Sequence, residues 1–239
     1  MKRSKIIIAS VLLGSVANVA LAESSGVFIG AEVGYGGANV EYKNHLQETN
    51  QEFKYTAKYD GGGVKYGFVA GYKQFFTPYL GLRYYASLSA MHASISHSGM
   101  LDSGVSFTER KDDTMINYGV NVDFLGNFIV KDNISFGGFV GLGIGGTSWL
   151  GKHIDDYQKQ VDNIWQGFKL NKNSFDVALN VGLRANIAKH HGVEIVGRVP
   201  FVPTKLLDKT ETYSEGEFYS EKTTLHHPYS ITARYTFSF

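Results

Sequence analysis

Apolar residues recur at every second position over eight stretches of the chain. In the first, residues 27–35, Val27, Ile29, Ala31, Val33 and Tyr35 share one side. Val64, Tyr66, Phe68, Ala70 and Tyr72 follow, then Leu80, Leu82, Tyr84, Ala86, Leu88 and Ala90. The fourth and fifth stretches offer Thr114, Ile116, Tyr118, Val120, Val122 and Phe124, and Ile134, Phe136, Gly138, Val140, Leu142 and Ile144. The sixth runs Phe175, Val177, Leu179, Val181, Leu183, Ala185 and Ile187, and the seventh Val193, Ile195, Gly197, Val199 and Phe201. The chain ends on Tyr229, Ile231, Ala233, Tyr235, Phe237 and Phe239. A period of two is that of a β-strand with unlike faces, and only Thr114 interrupts these faces with a polar side chain.

The opposite faces carry the charge: Glu32, Lys65, Lys73, Arg83, Asp123, Asp176, Arg184, Glu194, Arg198 and Arg234. A basic side chain facing lipid at mid-bilayer costs about 2–4 kcal/mol, so a membrane-spanning barrel must sort its residues in this way. The pattern predicts an all-β fold, an eight-stranded antiparallel transmembrane β-barrel with long extracellular loops. Such a barrel is just wide enough inside for side chains to fill it, so the ten charged residues are expected to form a pairing network in the lumen. By this reading Lys65 and Lys73, near opposite ends of the second strand, reach solvent, and the arginines take the middle.

The connections alternate in length. Short corners fall at Phe76-Thr77-Pro78, Lys131-Asp132-Asn133 and Lys189-His190-His191-Gly192. Long polar connections cover roughly residues 37–63, 91–112, 149–173 and 203–227. Short periplasmic turns and long external loops are the outer-membrane arrangement. Phe53, Tyr55, Ala57 and Tyr59 keep a period of two above the second strand, and Ser214-Glu215-Gly216 reads as a hairpin turn, with Asp102-Ser103-Gly104 another candidate tip. Ile154, Tyr157, Val161, Trp165 and Phe168 instead recur at three- and four-residue spacing, which predicts a short amphipathic helix, either lidding the barrel or lying on the membrane surface or against a partner.

The first 22 residues combine Lys2, Arg3 and Lys5 with an apolar run and an Ala20-Leu21-Ala22 site. This is the form of a secretory signal peptide cut after Ala22, leaving residues 23–239 as a single barrel domain. Glycine (28), tyrosine (15) and phenylalanine (16) are abundant and proline (4) is scarce, as suits twisted strands with aromatic belts. There is no cysteine, hence no disulfide or thiol chemistry. A formal net charge of +1 gives no reason to expect a nucleic-acid partner.

Tyr235, Phe237 and Phe239, ending in a terminal aromatic, resemble the signal by which the barrel-assembly machinery recognises its substrates. Three segments resemble the Helicobacter-type outer-membrane protein family, which includes adhesins and porins. They are residues 22–30 (AESSGVFIG), 193–204 (VEIVGRVPFVPT) and 229–239 (YSITARYTFSF). The resemblance implies a bacterial cell outer membrane location and an outer-membrane lipid environment. The absence of cysteine pairs and of room for a large external domain sets this chain apart from the big adhesins. In size it resembles the small eight-stranded barrels of the OmpA and OmpX type.

For catalysis the sequence offers little. His92-Ala93-Ser94 resembles the His-x-Ser arrangement of the lipid A deacylase family, and a serine nucleophile needs a histidine base and an orienting acid, here Asp102 or Glu109. The adjacent pairs His190-His191 and His226-His227 point to opposite strand faces and make poor metal sites. No metal, phosphate, nucleotide or other cofactor motif is found. The function expected is that of a non-enzymatic barrel whose surface loops serve envelope integrity or bind a host-surface or other extracellular ligand. A small porin-like channel and a lipid-modifying hydrolase are the alternatives.

Overall fold

The computed structural model describes the backbone of residues 23–100 and 106–239. Its elements are β1 (Gly26–Glu48), β2 (Gln51–Phe75), β3 (Leu80–Met100), β4 (Ser106–Lys131), β5 (Ile134–Leu150), α1 (Lys152–Ile164), β6 (Asn173–Ile187), β7 (His191–Pro200), β8 (Thr204–Ser214), β9 (Glu217–His226) and β10 (Ser230–Ser238). Strands β1 to β7 and β10 form an antiparallel ring closed by β1 on β10, from Phe28↔Ser238 to Gly36↔Ser230. The outward faces are those the alternation predicts. Val33, Phe68, Leu88, Val120, Leu142, Leu183, Ile195 and Ile231 all stand exposed on the outside of the ring. Among the described residues no helix is long and apolar enough to cross a membrane; the crossing is made by strands.

Both ends of the described chain and the three short turns gather at one rim. There Phe239 N–H bonds Val27 O at 3.0 Å, Ser238 N–H bonds His190 O at 2.8 Å, and Ala188 N–H bonds Asn133 O at 2.8 Å. At the other rim the long connections are not polar loops. β1 and β2 run on as a paired ladder to Glu48↔Gln51, and β3 pairs with β4 out to Met100↔Ser106. The period of two at Phe53, Tyr55, Ala57 and Tyr59 and the hairpin turn at Ser214-Glu215-Gly216 mark strands that project beyond the bilayer, and the paired ladders extend them further, because ladder hydrogen bonds hold polar strands as well as apolar ones. The β8–β9 hairpin turns at Glu215-Gly216, with Gly216 at φ 82, which favours a residue without Cβ. The expected tip at Asp102-Ser103-Gly104 lies outside the described residues.

β1 changes partners partway along. From Asn39↔His226 to Gln47↔Phe218 it pairs with β9 instead of β10, and β8 adds to β9. The outer sheet is therefore a direct extension of the barrel wall.

Side-chain parity is unbroken across this change, but polarity reverses. On β3 the inward residues Arg83, Ser87 and Ser89 give way to Met91, Ala93 and Ile95, while the outward apolar residues give way to His92 and Ser94. β4 does the same between Asn117 and Met115, and β5 between Thr147 and Trp149. Met91, Met115 and Trp149 are register partners across the three strands, and all are buried. They form the floor of an apolar core above the membrane. Ala38, Val40, Leu206, Leu207, Leu225 and the α1 residues Ile154 and Val161 complete it, with Trp165 just beyond the helix. The helix expected at this place is present. Its apolar face packs onto this core, as a lid over the mouth.

Candidate functional site

The lumen holds every charged residue that alternation placed there, and all are buried side chains. Arg83 lies at the centre. Its Nε and Nη2 both donate to Asp123 Oδ2, at 3.1 and 2.7 Å, and its Nη1 donates to Glu194 Oε1 at 2.5 Å. Glu194 also lies 3.5 Å from Arg234 Nη1 and 3.9 Å from Arg184 Nε. Arg234 donates two hydrogen bonds to Glu32 Oε2, at 2.9 and 2.7 Å. Towards the lid, Arg198 donates to Asp176 at 2.5 Å and to the amide oxygens of Asn121 and Asn180. The planar guanidinium, which can serve two carboxylates at once, suits these shared pairings. Gly141 and Gly143 on β5 make room for them, since a Cβ at either would collide with Asp123 Oδ1 or Asn121 Oδ1.

Two expectations about this network need correction. Lys65 and Lys73 do not reach solvent, being only 2% and 1% exposed. Lys73 is held inside because Glu23, just past the expected cleavage point, folds into the rim. Glu23 takes Lys73 Nζ at 2.6 Å and also pairs with Arg184. It is a fifth carboxylate that the strand pattern missed, because it precedes the first strand. Lys65 is enclosed by the apolar floor above it, its register partner on β3 being Met91.

The second surprise is aromatic. The Arg83 guanidinium lies 4.6, 5.1 and 5.7 Å from the ring centres of Phe139, Tyr85 and Phe28, and Arg234 lies 5.2 Å from that of Tyr85. Rings stacked on desolvated cations add attraction that water would otherwise supply. The signal was visible as apolar doublets that break the alternation: Phe28 beside Ile29, Tyr85 beside Tyr84, Phe139 beside Val140.

The lid is tied down by polar contacts at its edges. Tyr157 donates its hydroxyl to Glu221 Oε1 at 2.9 Å and lies 2.8 Å from Thr223 Oγ1, and Gln158 bridges Phe168 O and Leu170 N–H. Burial pushes the Tyr157 phenol well above its usual value; Tyr219, whose hydroxyl bonds Glu221 Oε2, is pushed up to about 12 by burial and by that carboxylate. Beside α1 lies an outward-opening pocket of about 410 Å³. Tyr42, Tyr55, Tyr59 and Tyr157 wall it, and Gln160 and Glu221 add polar groups.

His92 and Ser94 sit on the outward face of β3 but engage different neighbours. His92 bonds Tyr66 and Thr114 at 2.9 and 3.0 Å, whereas Ser94 bonds Asp112 and Arg110. Among the described residues no carboxylate orients the histidine, and Asp102 and the Glu109 side chain lie outside them. Among the described residues no group of three histidine, aspartate or glutamate side chains is placed to hold a metal ion. At the opposite rim, Tyr235 and Phe239 face outward and Phe237 is half-buried, its ring 5.2 Å from that of Phe239.

A closed antiparallel ring with an apolar exterior and a charged interior is an integral outer-membrane β-barrel. Residues 67–239 match the model of the Helicobacter outer membrane protein family, and the chain belongs to that family. No curated protein matches the sequence. Among solved structures, the outer membrane protein OprG from Pseudomonas aeruginosa shares the fold. Its TM-score is 0.50 at 14% identity, with 92% of this chain and 99% of that chain covered. Lower similarity is found to the outer membrane protease OmpT from Escherichia coli, with a TM-score of 0.34 at 10% identity over 89% and 97% of the two chains. Ail, the attachment invasion locus protein of Yersinia pestis, gives a TM-score of 0.29 at 12% identity over 85% and 99%.

Proposed function

We propose that this protein is a closed, non-enzymatic outer-membrane barrel whose task is performed by its external sheet and lid. That task is contact with a host surface or another extracellular ligand, or support of the envelope. The observation that carries this reading is double closure. The lumen is filled by interlocked ion pairs, and an apolar core with α1 seals the outer mouth. A cavity lying among the ion pairs has room for about 20 Å³, too little for a continuous water path. The tyrosine-walled pocket beside α1 gives an external ligand a place to sit.

The deciding experiment is planar-bilayer recording of the purified barrel. The expected result is no stable open level. Large, steady currents from the unmodified protein would favour the small-channel alternative instead. Cell attachment with and without residues 204–226 then separates surface binding from envelope support. In the same reading residues 1–22 are a removed signal peptide, and Tyr235, Phe237 and Phe239 address the chain to the barrel-assembly machinery. Deleting Phe239 is expected to slow the appearance of the heat-modifiable folded form while export continues.

A further inference from the structure

The charge count of the lumen does not close. Six basic residues, Lys65, Lys73, Arg83, Arg184, Arg198 and Arg234, share the interior with five carboxylates, Glu23, Glu32, Asp123, Asp176 and Glu194. The surplus is localised. Each of the other five bases has a carboxylate within 4.0 Å, whereas Lys65 has none among the described residues. Among the described residues its one hydrogen-bond partner is neutral, Ser230 Oγ at 3.1 Å. An ammonium taken out of water without a counter-charge is among the most costly arrangements a protein can hold.

The same lysine lines the 20 Å³ internal cavity, together with Arg198, Arg234 and Ser230. That space admits one small solute, since a single water needs roughly 10–15 Å³ by this kind of measure. Arg198 Nε is buried and has no hydrogen-bond acceptor among the described residues, while Arg234 Nη1 faces Glu194 Oε2 at 3.5 Å. One of the cavity's arginines, Arg198, thus carries an unused donor, and its lysine has no carboxylate in direct contact among the described residues. Glu32 also borders the space, but both hydrogen bonds that Arg234 makes to it are already formed. Met91 and Met115, both fully buried, close the lumen above.

We propose that this cavity is a binding site for one small monovalent anion of halide size, chloride under ordinary conditions, held by Lys65 with Arg198 and Arg234. The anion brings the lumen to neutrality and acts as a removable structural counter-ion. This inference does not depend on what the external lid binds.

Two measurements on the full chain test it. Crystals soaked in bromide are expected to show an anomalous peak in contact with Lys65 Nζ. A well-ordered lysine beside a cavity without anomalous signal, filled by water alone, overturns the proposal. In solution, thermal unfolding is compared in sodium chloride and sodium gluconate at equal ionic strength. Chloride at ten times its dissociation constant is expected to raise the midpoint by about 3–5 °C. The shift should vanish in Lys65→Met. Should that variant fail to fold, Ser230→Ala keeps the charge, loses the one neutral partner and should leave the halide shift intact or larger. An equal shift in wild type and Lys65→Met, or none in wild type, overturns the site.

Discussion

The membrane-embedded half of this barrel and the half that stands above the bilayer are built on the same strands with opposite chemistry. Within the bilayer, outward side chains are apolar and the interior is a lattice of charges. Above it, the interior is Trp149, Met91, Met115, Leu207 and Ile154, and the outward positions are His92, Ser94, Arg110 and Asp112. Neither register nor parity changes between the two. What changes is the solvent outside, and each half hides from that solvent whatever it tolerates least. The two halves should therefore respond to different insults. The lumen should be sensitive to loss of a single charge and the lid to loss of apolar volume.

The largest effect is expected at Glu194. Replacement by Gln leaves Arg83, Arg184 and Arg234 around a neutral amide, and removing one member of a buried ionic group costs about 3–5 kcal/mol. The folded, heat-modifiable form should unfold at markedly lower denaturant. An unchanged midpoint would mean that the lumen is far wetter than its burial indicates. Next, Trp165→Ala removes a side chain that is 6% exposed and stacks on Tyr219 with centroids 6.1 Å apart. The cost is about 3 kcal/mol, and it should fall on the lid alone. Limited proteolysis should then cut within residues 150–172 while the barrel keeps its gel mobility. Global loss of the barrel would break the division between halves.

Alkaline pH sharpens the same contrast. A phenol whose folded value lies above its unfolded value near 10 gives stability that is complete below pH 10 and lost as pH rises through the folded value. Tyr157 and Tyr219 are both raised, so the lid should loosen above pH 10. Tyr157→Phe should make that loss shallower, at a cost of about 1 kcal/mol at neutral pH for the hydroxyl's hydrogen bonds. The smallest effect is topological. Epitope tags at residues 49–50 and 215–216 should be reached on intact cells with stability unchanged, and tags at 77–78 and 132–133 should not.

The barrel was legible in the sequence because lipid enforces a strict rule: a charge has only one face on which to lie. Arg83, Asp123 and Glu194 could be placed inward from parity alone. The lid was legible in part, since Ile154, Val161 and Trp165 announce a helix. That β1 and β2 stay paired to Glu48 and Gln51 was harder to read, because an extended polar ladder carries no hydrophobic rule. Yet Tyr55, Ala57 and Tyr59 occupy the parity opposite to Phe68 and Tyr66, which is the polarity reversal written in the sequence. Glu23 was hidden because it belongs to no strand, and the solitude of Lys65 because pairing is a property of three dimensions.

The exchange of partners along β1, from β10 at Gly36 to β9 at Asn39, ties the surface to the seam. The first strand can meet the ninth at the cell surface only where it has also met the tenth within the membrane. An antibody that recognises the β1–β9 ladder would therefore report, from outside an intact cell, that the seam beneath it has closed.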